Sequence, residues 1–228
     1  MTRVLITGAS RGIGRATALA CAARGAELGL LGHASADQTE VVNSCLKSGA
    51  KRVLELKADA ANAEALERAA QEFLSTLGAP DALIHNAGIA GRTSIEATTL
   101  PSWNEHLSVN LTAPFVLTRA LLPAMRAQKS GRIVFVASIS ATLGTANLSA
   151  YCATKWGVVG FMKSLAEELT DSGLMTCAVL PGSVDTRMLE GSGFPARMSP
   201  EAVAQTLLHY AFDAPLAHNG GSIEMFGV

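Results

Sequence analysis

The chain has 228 residues, of which 49% are hydrophobic and only 16% charged. That length suits one large α/β domain or two small ones, and the apolar content excludes an intrinsically disordered chain. The net charge is −1, and Lys and Arg are scattered rather than striped, which excludes a broad electrostatic partner such as nucleic acid or an anionic membrane.

Taken in chain order, short aliphatic runs of strand length alternate with longer amphipathic stretches. The runs are Val4–Thr7, Glu27–Leu31, Arg52–Leu56, Ala82–His85, Arg132–Ala137, Met175–Leu180 and Ser222–Phe226. Between them lie helical patterns near 12–24, 36–48, 62–77, 102–129, 150–172 and 199–212. Strict β-α alternation predicts a parallel sheet with helices on both faces. No repeat, low-complexity tract or linker interrupts it, so one domain over residues 1–228 is expected. The four cysteines, Cys21, Cys45, Cys152 and Cys177, form no C-x-x-C pair. They read as reduced, mostly buried thiols rather than a metal centre or disulfides. Arg3 and a short apolar run ending at Gly8 do not resemble a secretory leader. No run of about 18 apolar residues stands out to span a bilayer, and a cytoplasmic protein is expected.

In such sheets ligands bind beyond the carboxyl ends of the strands, so the residues that follow each strand carry the functional argument. After the first strand comes Thr7-Gly8-Ala9-Ser10-Arg11-Gly12-Ile13-Gly14, running directly into a helix. Glycines permit positive φ and close backbone approach, and a helix N-terminus offers unpaired N–H groups to an anion. The spacing is G-x-x-x-G-x-G. An ordinary tight βα turn would look similar, but the strand-then-helix context favours a dinucleotide phosphate.

Tyr151 and Lys155 stand one helical turn apart at the start of a helical stretch. A free phenol, with a pKa near 10, is a poor acid–base catalyst at neutral pH. An ammonium about 4 Å away, at an effective dielectric near 20, is worth about 4 kcal/mol. That predicts a phenol lowered by up to about 3 pH units, toward the operating pH. Ser138 ends the fifth strand, where its hydroxyl can donate to a substrate oxygen as charge develops there. Asn110 lies four residues before Pro114 in a predicted helix. The missing proline N–H leaves the Asn110 carbonyl free, which predicts a kink and a partner such as water.

Together, Asn110, Ser138, Tyr151 and Lys155 resemble the Asn-Ser-Tyr-Lys tetrad of the short-chain dehydrogenase/reductase family, and Thr7–Gly14 resembles its T-G-x-x-x-G-x-G loop. The serine precedes the tyrosine by 13 residues (151 − 138), as that family's pattern expects. His85-Asn86-Ala87-Gly88 is similar to its N-N-A-G element, with His85 in place of the first Asn. Pro181-Gly182-Ser183-Val184-Asp185-Thr186 is similar to its P-G-x-x-x-T segment. The resemblance runs from residue 2 to about 190 and includes members of the bacterial 3-oxoacyl-carrier-protein reductase type. It implies a doubly wound Rossmann fold, with a seven-stranded parallel sheet in the order 3-2-1-4-5-6-7. It implies hydride transfer between a nicotinamide cofactor and a carbonyl or secondary alcohol. In that scheme Tyr151 exchanges the proton and Ser138 orients the substrate oxygen. Lys155 lowers the tyrosine pKa and binds the nicotinamide ribose, and Asn110 holds a water. The implied cofactor site comprises Gly8, Ser10, Arg11, Gly12, Ile13 and Gly14, then His33, then Asp59 and Ala60 beside the adenine. It is completed by Asn86, Ala87 and Gly88, by Tyr151 and Lys155, and by Pro181, Gly182, Val184 and Thr186.

Cofactor choice rests on the segment Leu31-Gly32-His33-Ala34-Ser35, which has no carboxylate to repel a 2′-phosphate. With Arg11, His33 and Ser35 nearby, NADP(H) is expected over NAD(H), an NAD-linked dehydrogenase being the alternative. A non-catalytic NADP(H)-binding sensor is the rival class, and it has no need of the tetrad. Ile89, Ile139, Leu143, Gly144, Met188, Leu189, Phe194 and Met198 are expected to wall a small-molecule substrate pocket, with segment 187–198 as a cover. Arg92, Arg187 and Arg197 read as solvated cations, or as a reception for an acidic carrier or a carboxylate. Apolar residues on more than one face of the long helices suggest a homodimer or homotetramer.

Overall fold

In a computed structural model that describes residues 2–33 and 35–227, every aliphatic run becomes a strand. Ala34, in the segment expected to face the adenosine ribose, lies outside the described residues. The strands are β1 (Arg3–Thr7), β2 (Glu27–Gly32), β3 (Arg52–Lys57), β4 (Ala82–His85), β5 (Gly131–Val136), β6 (Leu174–Pro181) and β7 (Gly221–Met225). They pair in parallel in the order β3-β2-β1-β4-β5-β6-β7, as the resemblance implies. The direction of winding reverses between β1 and β4, which opens a crevice at their carboxyl ends.

Parallel neighbours need crossover connections, and these supply the outer layers. The helices are α1 (Gly12–Ala23), α2 (Thr39–Lys47), α3 (Ala63–Leu77), α4 (Leu100–Leu107), α5 (Ala113–Gln128), α6 (Ser149–Glu168) and α7 (Pro200–Phe212). Alternate residues of each central strand enter opposite cores. Leu5, Leu83, Ile133 and Phe135 pack with Phe73, Leu117, Leu121 and Met162 on one face. Val4, Ile6, Ile84 and Val134 pack with Cys21, Val41 and Leu207 on the other. Burial on both sides is why these strands read as unbroken apolar runs. Each fully buried Leu, Ile or Phe contributes about 1.5–3 kcal/mol. Phe73, one of the few large aromatics, needs room: a Cβ on Gly29 of β2 would stand 2.5 Å from its ring.

The predicted helix 102–129 is one continuous helical run, Leu100–Gln128, with a π turn at Ser108–Thr112 between α4 and α5. Pro114 supplies the cause, since it cannot donate to the carbonyl four residues back. Just before it, the Ala113 N–H reaches back five residues to the Ser108 carbonyl. By length and composition this run is apolar enough to cross a bilayer, although polar residues interrupt its apolar stretches. Its apolar side, including Ala113, Val116, Leu117, Leu121 and Met125, lies in the core against the sheet.

Helices α3, α4 and α7 begin on the side-chain caps Asn62, Thr99 and Ser199. Helix α1 begins at Arg11 with no side-chain cap and no acid in its first turn. Its leading N–H groups and positive dipole end therefore face the crevice uncompensated.

Candidate active site

The glycine loop joins β1 to α1 through two left-handed residues, Gly8 (φ 68°) and Gly12 (φ 54°). A Cβ on Gly14 would lie 2.2 Å from the Gly8 carbonyl oxygen and 2.5 Å from Asn86 Nδ2, so no larger residue fits. Asn86 Nδ2 donates to the carbonyls of Thr7 (3.0 Å) and Gly8 (3.1 Å). Thr7 Oγ1 accepts from the N–H groups of Asn86 (3.0 Å) and Ala87 (2.9 Å). The end of β4 is thus stitched to the loop. On the far side, Thr186 Cγ2 comes within 3.3 Å of where a Gly12 Cβ would stand, so the segment after β6 closes over the same loop. A cradle this tight, with free helix N–H groups, fits a dinucleotide pyrophosphate.

At the outer end of the crevice His33 Nδ1 accepts from the Ser35 N–H (3.2 Å), with Ser35 Oγ at 2.8 Å. The accepting role leaves the ring proton on Nε2, free to donate. Arg11 is exposed and makes no ion pair among the described residues. Asp37, an acid a few residues beyond β2, turns its Oδ1 onto the Thr39 N–H (2.9 Å) at the start of α2. Asp59 is exposed, and its Oδ1 accepts from the Ala61 N–H at 2.9 Å. Ala60, Ala87 and Thr7 line one small cavity with Leu31 and Val109, on the side where an adenosine would lie.

The four tetrad residues come from three places in the fold, the π turn, the end of β5 and helix α6, and are all buried. Ser138 follows β5, and its Oγ accepts from the Ser140 N–H at 3.1 Å. Its own proton is thereby left to donate. Tyr151 and Lys155 sit one turn apart on α6, with Lys155 Nζ 5.6 Å from the phenol ring centroid and bonded to the Val136 carbonyl at 2.9 Å. Asn110, in the π turn, clamps the segment that leaves β4: Oδ1 accepts from Ile89 N–H (2.8 Å), while Nδ2 donates to Ile89 O (2.9 Å) and Thr154 Oγ1 (3.0 Å). Gly88 lies between them, with a would-be Cβ 3.3 Å from Asn110 Oδ1 and 3.6 Å from Lys155 Nζ.

The electrostatics depart from the sequence expectation. Burial pushes the Tyr151 phenol above its ordinary value; the Ser138 hydroxyl pulls it back, neighbouring Cys152 raises it, and the Arg92 charge lowers it. Burial also pushes Lys155 down from 10.5 to about 8. The expectation counted only the attraction of an ammonium about 4 Å away. It left out the cost of stripping water from both groups, which here decides the direction for each. His85, the departure from N-N-A-G, stacks on Phe135 (4.8 Å between centroids) and pairs through Nε2 with Thr118 Oγ1 at 2.9 Å. Its Nδ1 has no partner, and burial pushes its pKa to about 3, so the ring stays neutral.

Three contributors escaped the sequence reading. In the sequence Thr7 is only a motif letter, yet its hydroxyl carries two backbone bonds. Thr154, inside Tyr-Cys-Ala-Thr-Lys, receives Asn110 and itself donates to the Tyr151 carbonyl at 2.7 Å. His106, buried, accepts the Gly91 N–H on Nε2 (2.9 Å) and holds Ser102 O through Nδ1 (2.8 Å). Its place four residues before Asn110 was the available signal, since i and i+4 share a helix face. Of the expected pocket wall, Ile139 and Met198 approach Gly182, while Leu143, Met188 and Phe194 are exposed.

Comparison with known proteins agrees with this geometry. A family model described as short chain dehydrogenase matches residues 2–193. A 3-oxoacyl-[acyl-carrier-protein] reductase of Synechocystis sp. is 34% identical over 226 residues, covering 95% of this chain and 92% of the relative. The reductase of the same description from Escherichia coli is 36% identical over 186 residues, covering 81% of this chain and 74% of the relative. Among solved structures, a putative NAD(P)-dependent gluconate 5-dehydrogenase from Beutenbergia cavernae, with bound NADP, superimposes with a TM-score of 0.90. It is 33% identical and the match covers 98% of this chain and 94% of that one. Levodione reductase gives a TM-score of 0.92 at 28% identity, over 99% of this chain and 96% of that one. With this sheet order, this glycine cradle and relatives of that identity along nearly its whole length, the chain belongs to the short-chain dehydrogenase family.

Proposed function

We propose that this protein is a single-domain, NADP(H)-dependent oxidoreductase that interconverts a carbonyl and a secondary alcohol, with Tyr151 as the proton-transfer group. The observation that carries the reading is the convergence of Asn110 and Lys155 on Gly88, beside the segment stitched to the glycine cradle, with Tyr151 next to Lys155 and Ser138 next to Tyr151. When bound, the nicotinamide supplies or accepts the hydride. The chain's own residues do the rest. Ser138, its Oγ already accepting from Ser140, donates a hydrogen bond to the substrate oxygen and fixes that oxygen beside the phenol. Tyr151 gives up its proton as the oxygen becomes an alkoxide, and a phenol kept protonated by burial suits that direction. Lys155 uses one donor on Val136 and keeps two for the nicotinamide ribose. The side-chain amide of Asn110 is fully engaged, so its main-chain carbonyl is the group left for a water.

NADP(H) is favoured by Arg11 and the outward Nε2 proton of His33, and by Asp37 being turned away onto α2. Gly8, Ser10, Gly12, Ile13 and Gly14 would hold the pyrophosphate. Asp59 and Ala60 would meet the adenine, Asn86, Ala87 and Gly88 the adenosine-side ribose, and Pro181, Gly182, Val184 and Thr186 the nicotinamide amide. Exposed Phe115 and Trp156, on α5 and α6, and Phe226, beyond β7, favour a homodimer or homotetramer in the cytoplasm; a monomeric mass by light scattering contradicts the assembly. The deciding experiment pairs native protein with Tyr151→Phe, measuring turnover of a ketone panel and the binding of NADPH and NADH. Turnover lost in the variant with NADPH binding kept supports the mechanism. Retained turnover refutes it, and equal affinity for NADH refutes the cofactor preference.

A further inference from the structure

Arg92 lies in the loop between β4 and α4, exposed, and makes no salt bridge or side-chain hydrogen bond among the described residues. Arg3, Arg15, Arg24, Arg68 and Arg119, by contrast, each pair with an acid. Its guanidinium instead stands over the ring of Phe194, 5.4 Å from the centroid. Cation–π stacking uses the face of the guanidinium and leaves its edge, with a fork of N–H donors, unspent.

The backbone that carries Arg92 is fixed on both sides. Gly91 N–H donates to His106 Nε2 at 2.9 Å, and Thr93 N–H donates to the Asn147 carbonyl at 2.9 Å, just before α6. The residue is thereby tied to α4 and to the approach of the helix that bears Tyr151. Phe194 belongs to segment 187–198, whose base is anchored where Asp185 N–H meets Met198 O at 2.9 Å. The Arg92 charge lowers the Tyr151 pKa, so the guanidinium acts on the phenol electrostatically. Glu96, the acid in the same loop, is turned to its own backbone and to Ser94. An unpaired guanidinium, laid on an aromatic face by a loop tied to α4 and to the start of α6, matches one chemistry: a planar oxyanion borne by the substrate itself.

We propose that Arg92 is the specificity-determining residue of this site and selects small oxo acids, or the corresponding hydroxy acids, by binding their carboxylate, with Phe194 backing the guanidinium. The proposal rests on the reading of Tyr151 given above. His106 is a positioning residue for it, acting through Gly91.

The test uses pyruvate, acetoacetate and levulinate, each against its methyl ester, with NADPH and the full chain. Native protein is expected to prefer the acid in its best pair. Arg92→Gln lowers the acid-to-ester ratio of kcat/KM about ten- to a hundredfold, mainly through KM, and Arg92→Lys recovers part of it. Phe194→Ala lowers the ratio by a smaller factor. A ratio unmoved by Arg92→Gln overturns the proposal, and so does a native preference for the esters or for an acetoacetyl thioester. If native protein reduces other ketones but none of these, the proposal fails; if it reduces no ketone at all, the Tyr151 reading is what fails. Calorimetric titration of NADP-loaded protein with 3-hydroxybutyrate then reads Arg92 independently. Absence of binding, or equal binding in Arg92→Gln, overturns the proposal on its own.

Discussion

Lys155 should make the fold less stable, and removing its charge should show it. The side chain is only 5% exposed, and burial pushes its pKa from 10.5 to about 8. Between those values the unfolded chain binds a proton that the native state does not, so stability rises with pH across that window. Below about pH 8 the native state bears the whole cost of a buried ammonium. The gap between 10.5 and about 8 is worth roughly 3 kcal/mol at about 1.4 kcal/mol per pH unit. Lys155→Met keeps the length of the chain and removes the charge. It forfeits the 2.9 Å bond to the Val136 carbonyl, a loss of about 1 kcal/mol. The variant should therefore be more stable than native by roughly 2 kcal/mol at pH 7, or about 4–8 °C in Tm for a domain of this size. At pH 9.5 most of the penalty has gone and the advantage should fall below about 1 kcal/mol. Turnover should drop by about two orders of magnitude or more. The assay is urea unfolding followed by circular dichroism without added nucleotide, at both pH values, beside NADPH turnover. A variant less stable than native at pH 7, or an advantage equal at the two pH values, refutes the reasoning.

Two further predictions concern the scaffold of the site. Thr7→Val keeps the shape but leaves the Asn86 and Ala87 N–H groups without their acceptor. It should cost roughly 2–4 kcal/mol and weaken NADPH binding, while Thr7→Ser recovers most of both; a loss under about 1 kcal/mol in unfolding measurements contradicts the double-bond role. His85, held neutral with a pKa near 3, resists a proton that the unfolded chain accepts near 6.5. Stability is complete above about pH 6.5 and falls as pH drops toward 3, by roughly 2 kcal/mol at pH 5. His85→Asn should flatten that slope between pH 7.5 and 5, and an unchanged slope rules out His85 as its source.

Much of the fold was legible because its signals are local. Seven aliphatic runs became seven strands at nearly the expected bounds, and only the break at Ser108–Thr112 needed the structure to define its form. Pro114 announced a disturbance, but whether a proline yields a kink or a π turn depends on what the freed groups meet. Here the Asn110 side chain is pinned to Ile89 and Thr154, which sequence spacing cannot reveal. Thr7 and Thr154 were missed for the same reason. A hydroxyl's value lies in partners 79 and 44 residues away, and hydrophobic periodicity carries no record of such pairs.

The order of β and α elements, the glycine cradle and the one-turn spacing of Tyr151 and Lys155 were all fixed by the amino-acid sequence, because helical period and glycine stereochemistry act over a few residues. The protonation balance of that pair was decided only by tertiary packing. The Val136 carbonyl of β5 holds the amine by a hydrogen bond, and the surrounding core strips water from both groups. Desolvation depends on everything that packs around a side chain, and no local stretch of sequence contains it.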